Sequence, residues 1–115
     1  MLHYQQPLDL AFQALSDPTR RRMVEQLSRG PASVSELAGP LPMSMSAVVQ
    51  HLKVLQDAGL VSSRKVGRVR TCRVEPAVLS AAERWITERR RSVGAGLDRL
   101  GVFLDATKPE TESGE

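Results

Sequence analysis

Ser44, Ser46, Gln50 and Lys53 stand close together in the chain and are followed by Arg64, Lys65, Arg68 and Arg70. Hydroxyls and a carboxamide both donate and accept hydrogen bonds, and a glutamine amide can pair bidentately with adenine. Lysine and arginine supply the charge that phosphate contacts need. Met45 and Val49, interleaved with these residues, are suited to thymine methyl groups. No paired carboxylates, no Ser/His/Asp set and no phosphate-cradling glycine loop accompany them. The pattern is one of recognition, so neither an enzymatic activity nor a cofactor is expected.

A helix over residues 44–58 positions the first group. Ser44 is placed to cap its start, Val48, Leu52 and Leu55 form its inner stripe, and Gly59 fits the left-handed position after its end. Leu60 is then expected to fold back on Leu55. The remaining positions, Ser44, Met45, Ser46, Val49, Gln50 and Lys53, point outward. Residues 61–74 read as two strands around Gly67. Alternation puts Arg68, Arg70, Cys72 and Val74 on one parity. Arg68 and Arg70, near the tip, are free to reach phosphates, while Cys72 and Val74 turn inward.

Ahead of this unit, Leu8, Phe12 and Leu15 mark a helix over 8–15. Asp17-Pro18 is a cap followed by proline at the first helical position, opening a helix to about Arg29. Ser33 and Glu36 form a capping-box pattern for a short third helix. Gly39-Pro40-Leu41-Pro42 predicts an extended connection into the 44–58 helix. After the hairpin, one long helical stripe runs from about Ala77 to Asp105 through Leu79, Ala82, Ile86, Val93, Leu97, Leu100 and Leu104. Such a stripe fits packing on another helix. Gly94, Gly96 and Gly101 predict a kink or break near 94–101. The fold class is therefore mainly α with a small β-hairpin wing, in the order α-α-α-α-β-β-α. Residues 1–105 form one domain and 106–115 a disordered polar tail.

Charge agrees with this division. Residues 19–73 carry ten Lys/Arg and three Asp/Glu, whereas the segments on either side are each net −2. A basic middle suggests a polyanionic partner. The single cysteine, Cys72, excludes an intrachain disulfide, and the N-terminal MLHYQQPLDLAF is no secretory signal. No stretch has the roughly 18 apolar residues of a membrane span. A cytoplasmic location, without membrane association, is the expectation.

LSDPTRRRMVEQL, SVSELAGPLPMSMSAVVQHLKVLQDAGLV and GRVRTCRV resemble an ArsR-type winged helix-turn-helix repressor over roughly residues 8–104. The resemblance implies a homodimer that occupies an inverted-repeat operator in double-stranded DNA, with the 44–58 helix and the 61–74 wing as its reader. It implies an interface built from the first and last helices, here Leu8, Phe12, Leu79, Ala82, Trp85, Ile86, Val93, Leu97, Leu100 and Leu104. The last helix is similar to a branch other than the arsenic sensors. Metal-sensing members carry a Cys-x-Cys-type pair on the helix before the reader, or Asp/His ligands on the last helix. Val34 to Leu41 contains no Cys, His or Asp, and the last helix has no His. No metal sensing is expected. An unidentified small-molecule effector between dimer helices is compatible with Trp85.

Several residues have plainer readings. His51, beside the inner stripe, suits a hydrogen bond to a neighbouring helix better than base reading. Cys72 suits a small buried apolar residue better than a redox switch. Arg20, Arg21 and Arg22, cations near a helix start, are electrostatically slightly out of place; a solvated face is the plainer reading, and the alternative is that Arg20 approaches the backbone. Arg89, Arg90 and Arg91 suit pairing within the last helix or across an interface. A winged-helix module that binds protein or RNA is the alternative to a DNA reader.

Overall fold

The computed structural model describes residues 2–107, with side chains from Pro7 onward. The elements are α1 (Leu2–Leu15), α2 (Pro18–Ser28), β1 (Ala32–Ser33), α3 (Val34–Ala38), α4 (Met45–Asp57), β2 (Val61–Val66), β3 (Val69–Val74) and α5 (Pro76–Thr107). This is the expected mainly α chain with a β-hairpin, plus one addition. The two-residue strand β1 pairs antiparallel with β3, matching Ala32 to Cys72 and Ser33 to Thr71. The sheet is therefore three-stranded in the order β1-β3-β2.

The helix starts follow from their caps. Asp17 Oδ2 accepts from the Arg20 backbone N–H at 3.0 Å, and Pro18 opens α2. Ser33 and Glu36 complete a reciprocal capping box, with 2.8 and 3.1 Å bonds. Ser44 Oγ accepts from the Ala47 N–H at 3.2 Å to start α4. The end of α4 is a Schellman stop: the Leu60 N–H reaches the Leu55 carbonyl and the Gly59 N–H the Gln56 carbonyl, each at 3.0 Å. Gly59 has φ +76°, which favours glycine, and a Cβ there would also sit tightly, 3.1 Å from Val78 Cγ2.

Three local expectations are corrected. The connection between α3 and α4 is a run of bends, not an extended segment, because Leu41 and Met43 fold back onto the core. Helix α1 starts at Leu2 and includes Pro7, where the apolar spacing marked only 8–15. Helix α5 passes Gly94, Gly96 and Gly101 without a break. A glycine costs a helix only about 1 kcal/mol relative to alanine, which the remaining strong helix formers offset. Ala106 and Thr107 also belong to α5. The rest of the expected tail, from residue 108, lies outside the described residues.

Two compact units result, residues 1–82 and the part of the chain from Glu83 onward. The first holds the core: Ala11 and Ala14 of α1, Met23, Val24 and Leu27 of α2, Leu37 of α3, Val48, Leu52 and Leu55 of α4, and Leu60, Val61 and Cys72 are all buried. The stripe Val48/Leu52/Leu55 is thus the one read from spacing. Burying aliphatic side chains of this size is worth roughly 1.5–3 kcal/mol each, which fixes α4 against the body of the unit. In the second unit α5 keeps an exposed apolar stripe.

Candidate nucleic-acid interface

With its inner stripe held in the core, α4 must present its other residues to solvent. Ser44, Met45, Ser46, Val49, Gln50 and Lys53 are all exposed, the two apolar ones at 48% and 50%. Exposed Met45 and Val49 on a helix whose other side is fully packed leave apolar surface facing the same way as the serines and Gln50.

The hairpin is tied to the last turn of α4. Val61 to Val66 pairs in register with Val74 to Val69, leaving Gly67 and Arg68 as a two-residue turn. Gly67 has φ +63° and, among the described residues, no non-glycine residue has positive φ, the pattern of a type II′ turn. Arg64, Lys65, Arg68 and Arg70 are exposed, while Cys72, near the base of the hairpin, is fully buried as expected. Val66 and Val69, beside the turn, are exposed at 66% and 51%. The base of the hairpin is closed by Ser62 donating to Glu75 and by the Glu75 N–H donating to the Leu60 carbonyl.

Helix and hairpin are joined by a polar chain that the spacing did not reveal. Gln56 Nε2 donates to Ser63 Oγ at 2.6 Å, and Arg70 Nη1 donates to the same oxygen at 2.8 Å. Arg70 is therefore held at one end, whereas Arg68 is exposed in the turn. Lys53 is also less free than its position implied. Its ammonium lies 3.2 Å from the Asp57 carboxylate, one turn on and well exposed, a pair of small energetic value that a phosphate could displace.

A helix-turn-helix domain model matches residues 15–64, the span from the end of α1 into the hairpin. The HTH-type transcriptional regulator Rv2034 of Mycobacterium tuberculosis is 51% identical over 81 residues, covering 70% of this chain and 75% of that protein. The transcriptional repressor SmtB homolog of Synechocystis sp. is 42% identical over 57 residues, half of this chain and 43% of that protein. A crystal structure of an ArsR family transcriptional regulator superposes with a TM-score of 0.75 at 44% identity, covering 79% of this chain and 94% of that one. The chain belongs to the ArsR family of winged helix-turn-helix transcriptional regulators. In this ArsR protein α3 and α4 are the helix-turn-helix and β2–β3 is the wing.

The arginine run of the ArsR protein has a role that composition alone could not show. Arg20 Nε donates to the Ala14 carbonyl at 2.7 Å, and its Nη2 to the Gln13 carbonyl at 3.3 Å. Arg21 Nη1 donates to the Leu15 carbonyl at 2.7 Å. These cations sit at the C-terminal carbonyls of α1, where the helix dipole favours them, which resolves their odd place at the start of α2. Arg20 Nη1 also lies 3.2 Å from His51 Nδ1, so His51 bonds to a neighbouring helix as its position implied.

Two titrating groups are shifted. The Arg20 backbone N–H, and to a lesser extent nearby positive charge, holds the Asp17 carboxyl below its ordinary value despite an opposing desolvation effect. Burial pushes the Cys72 thiol up, only partly offset by Arg70, so this cysteine is the inert kind. Among the described residues no group of three or more His, Cys, Asp and Glu side chains is arranged to hold a metal ion. Nor is any helix there long and apolar enough to cross a membrane.

The residues assigned to an interface divide. Ala82 is buried and Leu79 half-buried against the chain's own core, so both serve the single chain first. Leu8 is half-buried and Phe12 is 38% exposed. On α5, Trp85, Ile86, Val93, Leu97, Leu100 and Leu104 are exposed at 41–61%. Trp85, Ile86, Arg89, Arg90, Val93, Gly94 and Leu97 line an open groove of about 450 Å³. Arg89 lies 5.1 Å over the Trp85 ring and 3.6 Å from Glu88.

Proposed function

We propose that this ArsR protein is a homodimeric, sequence-specific repressor that reads an inverted-repeat operator with the 44–58 helix and the 61–74 wing. The observation that carries this is the union of α4 and the hairpin. It holds exposed hydrogen-bonding and apolar residues on the helix, exposed cations on the hairpin, and the Gln56–Ser63–Arg70 chain between them. Gln50 reads a base edge, Met45 and Val49 contact thymine methyls, and Ser44 and Ser46 take a phosphate or base edge at the helix start. Ser44 can still donate its hydroxyl proton while its oxygen caps α4. Arg64, Lys65, Arg68 and Arg70, with Lys53, supply phosphate contacts. Repression follows from occupying a promoter, and the Synechocystis relative bears the name of a repressor.

The exposed stripe of α5 supports the dimer. Six large apolar side chains in series on one helix exceed what an isolated soluble chain keeps without a partner surface. Trp85, Ile86, Val93, Leu97, Leu100 and Leu104, with Leu8 and Phe12 of α1, form that interface, and Leu79 and Ala82 support it from within the chain. Residues 1–105 then act as one DNA-binding and dimerisation domain in the cytoplasm. The protein performs no catalysis and senses no metal, and the Trp85 groove offers an apolar site for a small effector.

Selection of duplexes from a random-sequence pool on the purified protein, followed by sedimentation of the free and bound forms, tests the proposal. Enrichment of a two-fold symmetric motif, bound by two chains, supports it. A monomer that enriches no sequence contradicts it, and preferential binding of RNA would favour the alternative winged-helix role.

A further inference from the structure

The guanidinium of Arg20 bridges two helices. Its Nε and Nη2 hold the last carbonyls of α1, at Ala14 and Gln13, and its Nη1 meets His51 Nδ1 in the middle of α4 at 3.2 Å. Arginine has only donors, so Nδ1 is the acceptor in this contact. The Asp17 carboxylate, 4.0 Å from Nδ1, is engaged instead by the Arg20 backbone N–H. His51 immediately follows Gln50 and precedes the buried Leu52. Apolar packing of Val48, Leu52 and Leu55 sets the depth of α4 and turns that stripe inward. Directional bonds to its middle, from Arg20, and from its last turn, to Ser63, add two fixed points to that packing.

We propose that Arg20 and His51 are positioning residues that fix the reading helix relative to the end of α1, and through it set the operator half-site spacing that the dimer accepts. The inference depends on the dimer reading above, because α1 carries Leu8 and Phe12 to the interface. A reading helix tethered to α1 has one separation from its twin. A reading helix freed from that tether tolerates others, with looser contacts at each.

The test uses the full-length protein and the duplex enriched from the random pool, together with versions carrying one base pair added or removed at its centre. Wild type loses about tenfold in affinity on either change, the worth of one charged hydrogen bond or a misplaced base contact. His51→Leu binds the enriched duplex several-fold more weakly and loses most of the spacing penalty. His51→Asn restores both, because its Oδ1 takes the place of Nδ1 as acceptor from Arg20. Arg20→Lys, which cannot hold the α1 carbonyls and His51 together, behaves like His51→Leu, and the double variant is no worse than either single one. This arm carries the test if His51→Leu does not fold.

A wild-type spacing preference that persists in His51→Leu and Arg20→Lys overturns the proposal, as does failure of His51→Asn to differ from His51→Leu. If wild type itself sediments as a monomer and shows no spacing preference, the dimer reading fails and the spacing role fails with it. A dimeric wild type whose variants keep the preference leaves the dimer standing and removes only the pair's role.

Discussion

Gln56 Nε2 lies 2.6 Å from Ser63 Oγ, so the last turn of the reading helix is hydrogen-bonded to the first strand of the wing. Arg70 Nη1 shares that oxygen at 2.8 Å. One small hydroxyl thereby ties the helix to both strands of the hairpin. Ser63→Ala removes the shared partner and should cost about 1 kcal/mol in urea unfolding, together with a several-fold loss of affinity for operator DNA. Ser63→Thr, which keeps the hydroxyl, should recover most of both. Equal losses for alanine and threonine would show that shape and not the hydrogen bond matters at residue 63.

Gln50 is exposed on the outer face of α4, clear of the core stripe. Gln50→Ala should reduce discrimination at one base pair per half-site by about 1–3 kcal/mol while leaving non-specific binding nearly intact. Competition binding against a set of single-base operator variants measures this. A uniform loss across all of them would reassign Gln50 to the phosphate backbone.

The wing arginines should separate. Arg68 is exposed in the turn, whereas Arg70 is held by Ser63. Arg68→Ala should weaken every sequence and lower the slope of log affinity against log salt by about one. Arg70→Ala should lower the slope less and destabilise the wing more. Slopes identical to wild type in both variants would put the hairpin off the DNA.

The caps of this chain are legible in its sequence. Asp17, Ser33 with Glu36, Ser44 and Gly59 each do the local job that their residue types favour, because a cap depends on a few neighbouring atoms. The stripe Val48, Leu52 and Leu55 was equally plain, since helical period and burial coincide. Strand β1 was not legible, because Ala32 and Ser33 become a strand only when β3 arrives beside them. Nor was the role of Arg20, whose partners Gln13, Ala14 and His51 come from two other helices. The exposed candidates on α4 and the wing were readable as types and parity. The Gln56–Ser63–Arg70 chain that aligns them was not, because a polar tether between elements leaves no periodic trace.

Asp17 gives the start of α2 a pH dependence. Its carboxyl is held below the ordinary value, chiefly by the Arg20 backbone N–H, so it favours the folded state while ionised. That contribution is present above the unfolded carboxyl pKa, about 4, and is lost as pH falls through the lower folded value. Asn is also a good N-cap, so Asp17→Asn should fold. Its stability deficit against wild type should be largest near neutrality and shrink below about pH 4. Thermal melts of the two proteins from pH 3 to 7 provide the comparison, and a deficit independent of pH would remove the electrostatic explanation.

Most directly at stake is whether α4 and the wing together read sequence. Fluorescence anisotropy of the labelled enriched duplex, titrated at two salt concentrations with and without scrambled competitor, decides this. The account predicts affinity for the enriched duplex at least about a thousandfold above that for scrambled DNA, and a steep linear fall of log affinity with log salt. Equal affinity for the two duplexes, or no binding at low salt, would contradict it.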